Sequence, residues 1–295
     1  MYASMLEMLR EAQKGRYAVG YFESWNLESA RTVVKAAEEE RSPLIVGFNG
    51  GLLEIHKYEL EYYASIGKDA VNLARVPATL LLNEVSGVQQ VVRAIQLGFS
   101  AVMIDVSSLP FGKAIKLTKK IVEMSHLVNV CVEAQFDALR EAKNGVLEGT
   151  ENINMTDPKN AARFVEETDV DALSVSVGNI HGLYGRKANM NLPLIQEIRE
   201  TIDTPLVLHG ATGISDDDIK RAVDLGVCKI NVGHALRLAF AGVTRKTLER
   251  AVSTDLEGIS DLAEKELEDL IKSKMKIYGC AGRVWSGSEH NSPSS

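Results

Sequence analysis

The sequence predicts a (β/α)8 barrel, the TIM-barrel fold, with extra C-terminal helices. Three observations carry this prediction: eight short apolar or β-branched runs, helix-like periodicity between them, and a length of 295 residues. The runs fall at 17–22, 44–48, 79–82, 101–106, 129–132, 172–177, 206–208 and 228–232. They are continuously apolar instead of alternating, which suits parallel strands covered on both faces. Eight strand–helix units close a barrel, and a 45% hydrophobic content can fill one large core. Residues 1–284 are therefore read as a single domain. An open doubly wound sheet would more naturally carry a G-x-G-x-x-G turn after its first strand, and that turn is absent.

The intervening segments read as helices in order. The N-terminal segment is amphipathic, with Glu7, Arg10 and Glu11, and lacks the apolar stretch of a signal peptide. After the second run Leu60, Tyr62, Tyr63 and Ile66 recur at helical spacing, as do Ile115, Leu117, Ile121 and Val122 after the fourth. Thr156-Asp157-Pro158 places an N-cap and a first-turn proline before a helix through Phe164, and Ser215 followed by three aspartates opens another. Two further helices are expected at about 234–250 and 259–278, the second stopped by Gly279. Residues 285–295 are Ser-rich and polar and are expected to form a disordered tail.

Composition narrows the function. The chain has 33 basic and 40 acidic residues, a net charge of −7, and no basic run that could track a row of phosphates. A nucleic-acid partner is excluded on that ground, while single phosphates remain open. The three cysteines, Cys131, Cys228 and Cys280, show no CxxC spacing, which fits a reduced cytoplasmic setting. No segment reaches membrane-spanning length, so no membrane association is expected.

In such a barrel, chemistry gathers where the strands end. The strands deliver Glu23 and Asn26, then Asn49, then Asn83 and Glu84, then Asp105, then Glu133, Gln135 and Asp137. Asn179 and His181, His209, and finally Asn231 and His234 complete the rim. The loops His209-Gly210-Ala211-Thr212-Gly213 and Asn231-Val232-Gly233-His234 each lead into a helix. Glycines let backbone N–H groups approach an anion, and a helix N-terminus favours negative charge, so both loops suit phosphate.

At these residues the sequence resembles the class II, metal-dependent ketose-bisphosphate aldolases, which include fructose- and tagatose-bisphosphate aldolases. The resemblance runs from about residue 3 to residue 284. It is carried by Tyr17-Ala18-Val19 with Asn26-Leu27-Glu28, Val102-Met103-Ile104-Asp105, Val132-Glu133-Ala134 and Gly178-Asn179-Ile180-His181-Gly182-Leu183-Tyr184. Pro205-Leu206-Val207-Leu208-His209-Gly210-Ala211-Thr212-Gly213, Cys228-Lys229-Ile230-Asn231-Val232 and Gly279-Cys280-Ala281-Gly282-Arg283 continue it. The resemblance implies a divalent metal, zinc first with Fe(II) or Mn(II) as alternatives, held by His181 and His209. It also implies a sugar phosphate bound at Gly182, Gly210, Ala211, Thr212, Asn231, Gly233 and His234. Arg283 is implied to reach the far phosphate, often from a neighbouring subunit, in a homodimer or homotetramer.

The sequence departs from the family on the reacting side. Where the family carries His-Leu-Asp-His, this chain has Leu81-Leu82-Asn83-Glu84. Glu84 becomes the third metal ligand, with Asp105 and Glu133 as supporting or alternative ligands. Asn83 can orient a hydroxyl but cannot serve as its acid or base. Gln135-Phe136-Asp137 replaces Glu-Leu-Gly, so Asn83, Gln135 and Asp137 are the catalytic candidates, and Glu141 and Glu148 are further carboxylates that spacing does not place. The expected function is an aldolase-type lyase on a phosphorylated ketose with altered proton transfer. A non-catalytic sugar-phosphate-binding protein and another metal-assisted reaction are the alternatives.

Overall fold

The computed structural model describes residues 1–85, 87–142, 154–183, 188–250 and 255–284. Eight parallel strands close a barrel: β1 (Val19–Glu23), β2 (Leu44–Asn49), β3 (Ala78–Val85), β4 (Ala101–Asp105), β5 (Cys131–Gln135), β6 (Ala172–Ser174), β7 (Leu206–Leu208) and β8 (Val227–Val232). Each pairs with its sequence neighbour, and β8 returns to β1 with Tyr21 opposite Asn231. The predicted fold is therefore observed, with strand positions close to those read from the apolar runs.

Around the barrel lie α1 (Met5–Gly15), α2 (Leu27–Glu39), α3 (Gly50–Ile55), α4 (Leu60–Leu73), α5 (Val88–Leu97) and α6 (Phe111–His126). They are followed by α7 (Pro158–Thr168), α8 (Leu192–Thr201), α9 (Asp216–Asp224), α10 (His234–Arg250) and α11 (Leu256–Ile277). The caps operate as the sequence predicts. Asp157 accepts from the backbone N–H groups of Lys159 and Asn160 at 2.8 and 3.0 Å, and Ser215 accepts from Asp218 at 3.2 Å. Asn26, read as a rim residue, is instead a cap: it closes a reciprocal capping box with Ser29 at the start of α2. At the far end of α11, Cys280 N–H reaches Met275 O and Gly279 N–H reaches Lys276 O, the Schellman pattern that ends a helix.

Two elements differ from the sequence reading for local reasons. Strand β6 stops at Ser174 instead of running to 177, because the Asn179 side chain takes over the Val177 N–H at 2.8 Å and turns the chain. Strand β3 runs past Leu82 to Val85, because an extra residue is absorbed as a bulge against β4, where Leu82 pairs with Val102 but Val85 with Ile104.

Helix α11 lies along α2, tied by ion pairs of Arg31 with Glu264 and Lys35 with Glu268. Its course carries the chain to the N-terminal end of the barrel, where Gly282 N–H bonds Glu40 O. Among the described residues no helix is long and apolar enough to cross a membrane. Residues 285–295 lie outside the described residues.

Candidate active site

At the C-terminal ends of the strands a cavity of about 310 Å³ opens among β1, β2, β3 and the loops after β7 and β8. One wall comes from the β3 bulge. Successive strand residues face opposite sides, but the extra residue breaks that alternation, and both Asn83 and Glu84 line the cavity. Glu84 takes a left-handed backbone, φ +53°, a conformation uncommon for a side chain of its type. Its carboxylate is held by neutral amides: Asn49 Nδ2 donates to Oε2 at 2.7 Å and Asn83 Nδ2 to Oε1 at 3.1 Å.

Facing it are the two histidines. His181 sits on a short strand, Ile180–His181, that pairs with the backbone of Arg140–Glu141 at the rim. His209 follows β7 directly. The imidazoles stack with centroids 5.9 Å apart and 18° between planes. One ligand atom each from Glu84, His181 and His209 lies within 4.8 Å of the other two. Two imidazoles and a carboxylate at such spacing form a donor set suited to zinc or to a transition metal such as Fe(II).

Beneath them is a fully buried ionic floor. Glu133 Oε1 meets His209 Nε2 at 2.7 Å, and Lys229 Nζ meets Oε2 at 2.8 Å, with both side chains of the ion pair at 0% exposure. Burial alone would raise the Glu133 pKa, but Lys229 and His209 outweigh it and hold the carboxyl below its usual range. Burial likewise lowers the Lys229 pKa against the pull of Glu133. Because a carboxylate only accepts, Nε2 of His209 carries the proton and Nδ1 keeps its lone pair, the arrangement by which a buried carboxylate orients a metal-binding histidine. Asn179 clasps the same residue from behind, donating to His209 O at 2.9 Å.

The third wall joins β1 to α10. Arg237 Nε donates to Glu23 Oε1 at 2.7 Å. Burial raises the Glu23 pKa, opposed by Arg237. Gly233 makes room for this pair, since a Cβ there would stand 2.7 Å from Glu23 Oε2. His234 opens α10, and burial followed by the Arg237 guanidinium lowers its pKa.

The glycine loops converge as the sequence suggests. Gly182, Gly210, Ala211, Thr212, Asn231, Gly233 and His234 all line the cavity. Gly210 has φ +66°, and a Cβ there would meet Ile180 O at 2.7 Å, so the turn that presents the following N–H groups requires glycine. Asn231 Nδ2 lies 3.4 Å from His209 Nδ1 and 3.4 Å from Asn83 Oδ1, linking floor to rim.

Other sequence candidates do not line the main cavity. Asp105 and Gln135 border a smaller recess of about 200 Å³ that Glu84 and His181 also line; Asp105 accepts from Ser107 N–H and Gln135 from Ser174 Oγ. Asp137 lines neither recess and pairs with Thr156, and burial raises its pKa to about 6. Glu148 and the Glu141 side chain lie outside the described residues. Arg283 does not reach its own chain's mouth: its guanidinium lies 5.5 Å from the Tyr17 ring at the opposite end of the barrel, where α11 has delivered it. Sequence reasoning missed Arg237, Tyr21 and Lys229. The cue for Arg237 was its place one helical turn after His234.

Residues 3–283 match the class-II fructose-bisphosphate aldolase family. The chain belongs to this family. Among solved structures, this family member is similar to the YdjI aldolase from Escherichia coli K12, with 29% identity, 97% of this chain and 100% of that one covered, and a TM-score of 0.83. A candidate fructose-1,6-biphosphate aldolase from Coccidioides immitis matches at 25% identity over 95% and 97% of the two chains, with a TM-score of 0.84. The fructose-bisphosphate aldolase of Campylobacter jejuni, at 18% identity, coverage of 95% and 96% and a TM-score of 0.77, shares the fold.

Proposed function

We propose that this class-II aldolase family member is a metal-dependent lyase that reversibly cleaves a carbon–carbon bond in a phosphorylated ketose, giving dihydroxyacetone phosphate or a similar product. The observation that carries the reading is the convergence of Glu84, His181 and His209 donor atoms within 4.8 Å of one another, beside the glycine loops. A divalent metal held there, zinc or alternatively Fe(II) or Mn(II), would polarise the ketose carbonyl and stabilise the negative charge that develops on it.

The protein's own groups divide the remaining work. Backbone N–H groups of Gly210 to Thr212 and the start of α10 at Gly233 and His234 bind the phosphate. Asn83 orients a substrate hydroxyl through its amide, which exchanges no proton at useful pH. Two carboxylates, Glu84 and Glu23, line the cavity among the described residues. With Glu84 in the donor cluster, Glu23 is the one left to hold a proton near the substrate.

The test combines metal analysis after gentle purification with a cleavage assay on ketose phosphates. Stoichiometric divalent metal and cleavage abolished by a chelator are expected; metal-replete protein inert towards the whole panel overturns the reading. Asn83 supports a second reading, a sugar-phosphate-binding protein without turnover. That reading requires a ligand-induced rise in melting temperature in the absence of any product.

A further inference from the structure

Glu84 is gripped by two amides, and each has its direction fixed by something other than Glu84. Asn49 is the simpler case. Its Oδ1 accepts the Leu52 N–H at 3.0 Å and so caps α3, which leaves Nδ2 to face Glu84 Oε2. Asn83, its partner in the β2–β3 register, is fixed from further away.

The contacts that fix it begin at Lys229 in the buried floor. An ammonium carries three donors and no acceptor. Lys229 Nζ lies 2.8 Å from Glu133 Oε2 and 5.1 Å from the centre of the Tyr21 ring, and it also donates to Asn231 Oδ1. Residues 229 and 231 stand two apart on β8 and so share one of its faces. Because Lys229 only donates, Asn231 turns its oxygen towards the floor and its Nδ2 towards Asn83 Oδ1, at 3.4 Å. Asn83 is then left with Nδ2 for Glu84 Oε1, at 3.1 Å.

The far end is closed as firmly, since a carboxylate only accepts. A donor-only group at one end and an acceptor-only group at the other leave the two amides between them a single arrangement. Asn83 is 2% exposed and Asn231 8%, so water has little room to replace either bond. Hydrogen bonds that run in one direction through such surroundings also polarise one another.

We propose that Asn231 and Asn83 are positioning residues for Glu84, forming with Lys229 a one-directional amide chain, and that Asn83 and Glu84 are a matched pair in which a carboxylate at 84 requires an amide at 83. The proposal rests on the preceding reading only for the cation that Glu84 meets. An aspartate at 83 would still accept from Asn231, but it would turn an acceptor towards Glu84 and set carboxylate against carboxylate. The chain uses one N–H and one lone pair of Asn83, which leaves the others for a substrate hydroxyl.

Two measurements on the full chain read the direction of these bonds. The first is the melting temperature after metal has been removed with a chelator. Asn83→Asp should lower it by roughly 3 °C or more. Adding Glu84→Gln to that variant exchanges amide and carboxylate, so the new amide can donate to the new carboxylate and most of the loss should be regained. The second is zinc affinity, measured by competition with a chromogenic chelator. Asn231→Asp keeps an acceptor for Lys229 but turns a second acceptor towards Asn83, whose amide then reverses and presents its oxygen to Glu84. Zinc affinity should fall roughly tenfold. Charge alone predicts the opposite, because the substitution adds a negative group beside a cation site.

Additive melting shifts in the double variant overturn the chain, as does zinc affinity that Asn231→Asp leaves unchanged or raises. Should Asn231→Asp fail to fold, the exchange at 83 and 84 decides alone. Regain of the melting temperature in a protein whose wild type binds no zinc or other divalent metal upholds the chain and removes the preceding reading. Tight zinc binding by the wild type with no regain on exchange overturns the chain and leaves that reading standing.

Discussion

Glu133 and Glu84 stand at the same end of the barrel in opposite surroundings. Glu133 is fully buried, and its two oxygens meet His209 and Lys229. Glu84 is half-buried and receives the amides of Asn49 and Asn83, and among the described residues it enters no ion pair with Lys or Arg. A carboxylate whose charge is balanced inside the chain serves architecture, because removing its partner strands a buried ion. One balanced by amide dipoles alone keeps its attraction for a cation from outside.

That contrast can be broken most forcefully at Lys229. Replacing it with methionine leaves Glu133 buried and half-paired, and a loss of about 3–5 kcal/mol is expected in urea unfolding. A loss below about 1 kcal/mol would make the floor as dispensable as the rim. At Glu84 the expected balance is reversed. Glu84→Gln keeps the shape and removes the charge, so stability should move by less than about 1 kcal/mol while metal affinity falls more than about a hundredfold. Competition against a chelator measures this, and unchanged affinity would assign the cation to other groups.

Asp137 tests whether a carboxyl outside both clusters is a liability. Burial holds its pKa up at about 6, so the native state favours the protonated form. The resulting penalty grows as pH rises from the unfolded-state value near 4 and is complete above about 6. Asp137→Asn should therefore raise stability by about 1 kcal/mol at pH 8, after allowance for partial exposure, and by less at pH 4.5. Equal gains at the two pH values would remove the explanation. The smallest effect is expected at Tyr21, whose buried hydroxyl has no hydrogen-bond partner among the described residues. Tyr21→Phe should leave unfolding free energy unchanged or raise it by about 0.5 kcal/mol, and a loss above about 1 kcal/mol would show that the hydroxyl is bonded.

The barrel was legible because its signals are local. Apolar runs, Asp157 before Pro158, Ser215 before three aspartates and Gly279 after α11 each act within a few residues of themselves. His209 and the glycine loops were legible for a related reason: they follow β7 and β8 directly, so the strand's position gives theirs, whereas His181 stands past the end of β6 on the short rim strand Ile180–His181. Groups paired across the barrel were not legible. Glu23 with Arg237 and Glu133 with Lys229 are joined only by closure of the sheet, and Arg237 lies on a helix that gives no hint of its partner. The place of Arg283 depended on where α11 packs, a property of two helix faces that motif order does not record.

The bulge in β3 has a wider consequence. A strand is a two-phase pattern, with alternate residues assigned to opposite sides, and one inserted residue shifts the phase of everything beyond it. Between Leu82 and Val85 that shift lets a single strand present two neighbouring polar side chains at the mouth while its apolar residues on either side stay in register with the core. Removing one residue there would restore the alternation and turn either the amide or the carboxylate away. The polar groups that this mouth presents are thus set by the phase of one strand as much as by which residues the strand contains.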